Sequence, residues 1–117
     1  MRAAGIALIA ALGFHAAQAA ELPVVVYAAG DIAQCGLAGA GLTARLVVEP
    51  TARVLAVGDL AYPRGRAEDF ANCYQPTWGR FKARTLPVPG NHEYMTGGAA
   101  AYFAYFGMQA MPFQGGY

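Results

Sequence analysis

Val54-Leu55-Ala56-Val57-Gly58-Asp59-Leu60-Ala61-Tyr62 decides the reading of this chain: an aliphatic run stops at a glycine and passes at once to an oxygen ligand. The same grammar occurs twice more. Val24-Val25-Val26-Tyr27-Ala28-Ala29-Gly30-Asp31 precedes it, and Leu86-Pro87-Val88-Pro89-Gly90-Asn91-His92-Glu93 follows it. A short apolar run closed by glycine reads as a buried parallel strand that ends in a sharp turn. Three such strands side by side bring their ends to one edge of one sheet, where open α/β folds hold ligands. Asp31, Asp59, Tyr62, Asn91 and His92 then converge on that edge. Hard oxygen ligands with one imidazole suit a cation such as iron, manganese or zinc.

Outward from these runs the pattern is α/β. Strand one is expected over 23–29, a Gly- and Ala-rich loop over 36–41, and a short amphipathic helix over 42–48 with Leu42, Leu46 and Val47 on its apolar side. Pro50 ends that helix. Arg53–Val57 is strand two; its lack of polar and apolar alternation predicts burial on both faces. The insertion over 63–85 predicts two short helices, 67–74 and 76–83, with Trp78 and Phe81 facing a core. Strand three, 86–89, carries two prolines and is therefore short, irregular or near an edge. Helix 99–106 bears Tyr102, Phe103, Tyr105 and Phe106 on more than one side, which favours burial on two sides over a wall beside the ligand pocket. Nothing marks a second domain, and 108–117 reads as loop.

The first stretch, 1–19, has one basic residue (Arg2), an apolar run over 3–14 and a small-residue exit at Ala17-Gln18-Ala19. It reads as a secretory signal peptide cleaved after Ala19, since the apolar run is shorter than the roughly 20 residues a spanning helix needs. This predicts an exported protein, secreted or periplasmic, with no stable membrane insertion after cleavage. Losing Arg2 moves the balance from 8 basic and 7 acidic residues to 7 of each. A neutral chain offers no electrostatic case for nucleic acid. The remaining 20–117 is enough for one small domain but short for a doubly wound sheet.

Cys35 and Cys73 remain in a compartment that permits disulfides. They are too few and too widely spaced for a thiolate zinc site, which leaves a structural disulfide as the favoured reading over two buried thiols. Closing a loop of about 38 residues stabilises by about 4 kcal/mol in the chain-entropy picture. No glycine fingerprint of the dinucleotide or P-loop kind follows any strand, which argues against a nucleotide-binding domain.

Gly30-Asp31, Gly58-Asp59-Leu60-Ala61-Tyr62 and Gly90-Asn91-His92-Glu93 resemble the first three of five motifs of the calcineurin-like metallophosphoesterase superfamily, in its purple acid phosphatase variant. Ala33 stands where most members have a histidine, and Tyr62 is the gain that accompanies that loss. The stretch Phe70-Ala71-Asn72-Cys73-Tyr74-Gln75-Pro76-Thr77-Trp78-Gly79 is similar to exported bacterial members of the group. The resemblance covers about 24–107.

The resemblance implies a layered α/β sheet fold, of which 20–117 is the N-terminal part, with the motifs at the carboxyl ends of strands. It implies a metal-dependent phosphoric monoester hydrolase, acid phosphatase-like, working through two metal ions (iron paired with iron, zinc or manganese) and metal-bound hydroxide on a small phosphate ester. Asp31 and Tyr62 would bind the first metal, Asp59 would bridge both, and Asn91 would bind the second. His92 would contact the phosphate and protonate the leaving alkoxide. Glu93 would partner His92 or make a polar contact near the following helix. Two later motifs of the family, which carry three more histidine ligands, have no counterpart before Tyr117. The chain as given is therefore expected to be inactive, and the alternative is a non-catalytic fragment with weak cation or partner binding.

Overall fold

The computed structural model describes residues 23–111. They form a mixed α/β domain with two small parallel sheets. Strands β1 (Val26–Ala29), β3 (Arg53–Val57) and β5 (Thr85–Val88) make the larger sheet in the order β1-β3-β5. All pairs are parallel, with Val26 opposite Arg53 and Val57 opposite Val88. Strands β2 (Ala33–Gln34) and β4 (Ala61–Tyr62), two residues each, form a second parallel pair in which Gln34 faces Tyr62.

The second sheet prolongs the first across the Gly-Asp turns. The amide of Asp31 donates to the Gly58 carbonyl (3.1 Å), Ile32 to Asp59 (3.0 Å) and Ala33 to Leu60 (3.1 Å), so the ladder never breaks. This was not legible in the chain, because two-residue strands carry no periodic signal. Asp31 and Asp59 both lie at φ 52°, in the left-handed region that aspartate tolerates better than most residues. The sharp turn expected of the glycine is thus shared with the aspartate, and at the second turn Gly58 also has φ 85°.

Helix α1 spans Gly39–Ala44, earlier than the amphipathic pattern predicts. The residues that bury are small: Ala40 and Ala44 are covered, followed by Val47, while Leu42 and Leu46 face outward. The close approach of α1 to the sheet leaves room for methyl groups and no more. Thr43 accepts the indole N–H of Trp78 (3.1 Å), which fixes α1 against the insertion.

The insertion begins with α2 (Ala67–Asp69), runs on as a π-helical turn (Phe70–Tyr74), and ends in a 3₁₀ segment (Trp78–Arg84). Buried Asp69 accepts the amides of Arg64 (3.3 Å) and Arg66 (3.0 Å) and so starts α2. Cys35 and Cys73 are joined in a disulfide with Cα atoms 4.8 Å apart, tying the loop after β2 to the π-helical turn. Among the described residues there is no free cysteine. Arg84 donates to the carbonyls of Glu49 (2.7 Å) and Ala52 (2.8 Å), closing the connection into β3.

Helix α3 (Ala100–Phe106) packs its aromatic side on that insertion: Tyr105 stacks on Phe70 with centroids 4.9 Å apart, and Phe106 meets Tyr74 edge-on at 5.8 Å. The core joins this aromatic group to Trp78, Phe81, Val54, Ala56 and Leu60. One face of the large sheet lies on this core. The other carries Val26, Arg53, Val57, Leu86 and Val88 exposed, so β3 is buried on one face where the sequence predicted two. Among the described residues no helix is long and apolar enough to cross a membrane. Gly107–Ala110 form a 3₁₀ turn where the sequence predicts loop, and the expected leader 1–19 and residues 112–117 lie outside the described residues.

Candidate metal centre

The three turns that follow β1, β3 and β5 meet at one edge of the sheet. Continuous pairing across the first two sets Asp31 beside Asp59, and the 3.0 Å bond from Gly58 N–H to the Val88 carbonyl draws the third alongside. Tyr62 follows from β4, and its phenol reaches back to donate to Asp31 Oδ1. The same hydroxyl lies 3.4 Å from Asp59 Oδ2. Two carboxylates and a phenol from two different turns thus gather their oxygens around one shared proton.

That hydrogen bond to Asp31 holds the Tyr62 pKa well above the usual tyrosine range, with burial and the neighbouring Asp59 and Asp31 charges acting in the same direction. The phenol is therefore neutral in the metal-free cluster. Three oxygens of this kind form a donor set that suits a hard cation, which would take the place of the proton.

The fit extends to the space around Asp59. A Cβ on Gly90 would lie 2.2 Å from both the amide nitrogen and Oδ1 of Asp59, so only glycine permits the carboxylate to stand there. Asp59 Oδ1 accepts the His92 amide at 2.9 Å, which leaves Oδ2 toward Tyr62. The carboxylate is fixed on one side and open on the other.

His92 stands against the cluster with its ring 4.4 Å from that of Tyr62. Its Nδ1 lies 2.7 Å from the Pro63 carbonyl, which can only accept, so Nδ1 carries a proton and Nε2 is the atom free to exchange one. The Tyr62-Pro63 peptide is cis. Asn91 is exposed on the turn just before His92, and its side chain makes no hydrogen bond with the described residues. The structure therefore brings Asp31, Asp59, Tyr62 and His92 together and leaves Asn91 next to them in the chain but outside the hydrogen-bonded cluster.

Glu93 is the residue whose role the sequence reading missed. It is wholly buried, and instead of pairing with His92 its Oε1 accepts the amides of Leu60 (2.8 Å) and Ala61 (3.1 Å) while Oε2 accepts that of Gly90 (2.8 Å). One carboxylate thereby fastens the third turn to the segment between Asp59 and Tyr62. Only its place three residues after Gly90, the spacing of a carboxylate that caps a turn, hinted at this.

Among the described residues no three His, Cys, Asp or Glu side chains converge as a metal site by themselves. Comparison of the chain with protein-family models, curated proteins and solved structures finds no match.

Proposed function

We propose that this chain carries the metal-binding edge of a phosphoric monoester hydrolase of the metallophosphoesterase kind, exported to a secreted or periplasmic compartment. The observation that carries the proposal is the convergence of Asp31, Tyr62 and Asp59 at the ends of adjacent parallel strands, with His92 alongside. Asp31 and Tyr62 would hold one cation, Asp59 would bridge it to a second, and Asn91 would bind that second cation. Cations bound there would offset phosphate charge and lower the pKa of water. His92, with Nδ1 held by Pro63, would give a proton from Nε2 to the departing alkoxide. The Cys35–Cys73 bond is consistent with export, because such bonds persist in oxidising compartments.

Equilibrium dialysis against zinc, manganese and ferric iron tests this. The parent should retain metal, and inorganic phosphate should bind the loaded protein and not the metal-free one. Asp59→Asn should lose both. Phosphate affinity that ignores the metal would remove the proposal.

A second reading is cation binding without turnover, and the composition of the cluster is the observation behind it: two carboxylates and a phenol, with no three His, Cys, Asp or Glu side chains converging among the described residues. Hydrolysis of a generic aryl phosphate by the loaded chain, lost in Asp59→Asn, decides between the two.

A further inference from the structure

A cleft of about 300 Å³ opens directly from Asp31 and Tyr62 and runs between β2 and the start of α1. Its far walls are Ile32, Leu37 and Ala40, with the Gln34 amide as a further polar group. No lysine or arginine lines it, so it has nothing to attract a second anion. The volume is at the low end for small-molecule sites, and about twice the 150 Å³ that is enough to hold a benzene ring.

Leu37 is the informative residue. It is 64 % exposed and has no part in the core, yet its loop is held from several sides. The Cys35–Cys73 disulfide ties the loop to the insertion, the Leu37 amide donates to the Gln34 carbonyl (3.3 Å), and Gln34 is paired in register with Tyr62. A fixed loop that holds a leucine at the mouth of a cleft beside the carboxylate and phenol cluster places an apolar surface next to the proposed cation site.

We propose that this cleft receives the uncharged aryl or alkyl group of the phosphate ester, with Leu37 and Gln34 as the residues that set specificity. The inference rests on the phosphoester reading above and narrows it to esters of small, uncharged alcohols and phenols. Esters whose leaving group carries further phosphates, such as nucleoside polyphosphates, gain nothing from such walls.

The test is binding, followed by NMR on the zinc-loaded chain with phenyl phosphate and inorganic phosphate as probes. Phenyl phosphate should bind about tenfold more tightly than inorganic phosphate and should shift the methyl signals of Leu37 and Ile32 and the Gln34 side-chain amide. Leu37→Ser should erase that tenfold preference and leave inorganic phosphate unchanged. Leu42→Ser, which removes a similarly exposed leucine from α1 outside the cleft, should change neither. Equal affinities for the two probes in the parent, with Leu37 unshifted, would overturn the cleft assignment while leaving the phosphate site intact. Failure of both probes to bind would overturn the phosphoester reading and this inference with it.

Discussion

The turns after β1 and β3 and the turn after β5 share a sequence grammar and do opposite work. In the first two, an aspartate takes the left-handed conformation and the chain continues as a strand, so Asp31 and Asp59 present carboxylates at the sheet edge. In the third, Gly90 leads into a 3₁₀ turn (Glu93–Met95), and its polar groups point back at the second turn. Glu93 takes three amides, the His92 amide reaches Asp59, and Gly90 leaves the space that Asp59 fills. Two turns present the carboxylates proposed to hold metal, and the third, which also carries Asn91 and His92, fixes the position of one of them. Loss in the third turn should therefore appear as lost stability, and loss in the first two as lost binding.

The largest effect should come from Glu93→Ala. It strands the buried amides of Leu60 and Ala61, each costing about 1–3 kcal/mol when left unsatisfied, and the part-buried amide of Gly90, and a total near 4 kcal/mol is expected. Glu93→Gln keeps the volume and the Oε1 acceptor and should cost less than half as much. Urea unfolding of both variants measures this. A smaller loss in Glu93→Ala than in Asp31→Asn would collapse the division between the turns.

Gly90→Ala comes next. The added methyl would meet Asp59 at 2.2 Å, so either the third turn or the carboxylate must shift, at about 3 kcal/mol for overpacking. Because the atom displaced is a proposed ligand, metal retention should fall as well. Unchanged stability with unchanged metal content would show that the third turn adapts freely and fixes nothing.

The strands of this arrangement were legible because aliphatic runs ending in glycine are a strong local signal: Arg53–Val57 is a strand in both sequence and structure. The gathering of Asp31, Asp59 and Tyr62 was legible for the same reason, since strand ends determine where the next side chains stand. What was not legible depended on partners far along the chain. Glu93 bonds Leu60 and Ala61, 33 and 32 residues away, and no local pattern encodes that. The bounds of α1 are hidden in the sequence because Leu42 and Leu46 look like a buried face, whereas Ala40 and Ala44 are what the tight approach to the sheet accepts. The exposed face of β3 was missed because an unbroken apolar run reads as burial on both sides.

Asp31→Asn sharpens the comparison from the other side. Asparagine tolerates the left-handed conformation and keeps an acceptor for Tyr62, so stability should change by no more than about 0.5 kcal/mol. Metal affinity should nevertheless fall at least as far as the 10- to 100-fold seen when an outer partner of a metal ligand is lost. Calorimetric metal titration beside urea unfolding separates the two quantities. A large stability loss without a binding loss would make the first turn structural, like the third.

Tyr62→Phe should produce a small change in stability and the cleanest change in signal. The lost hydroxyl donates to Asp31, which is exposed and can be hydrated in its place, so the net cost should be about 1 kcal/mol or less. The packing of the ring against His92 needs no oxygen and should survive. In protein loaded with ferric iron, a phenolate ligand gives a visible charge-transfer band, and the variant should lack it while still binding some iron through Asp31 and Asp59. Absorption spectra of parent and variant at matched iron content test this directly. A variant as coloured as the parent would take the phenol out of the metal site and leave Tyr62 with the role of Glu93, holding the cluster in place without binding metal itself.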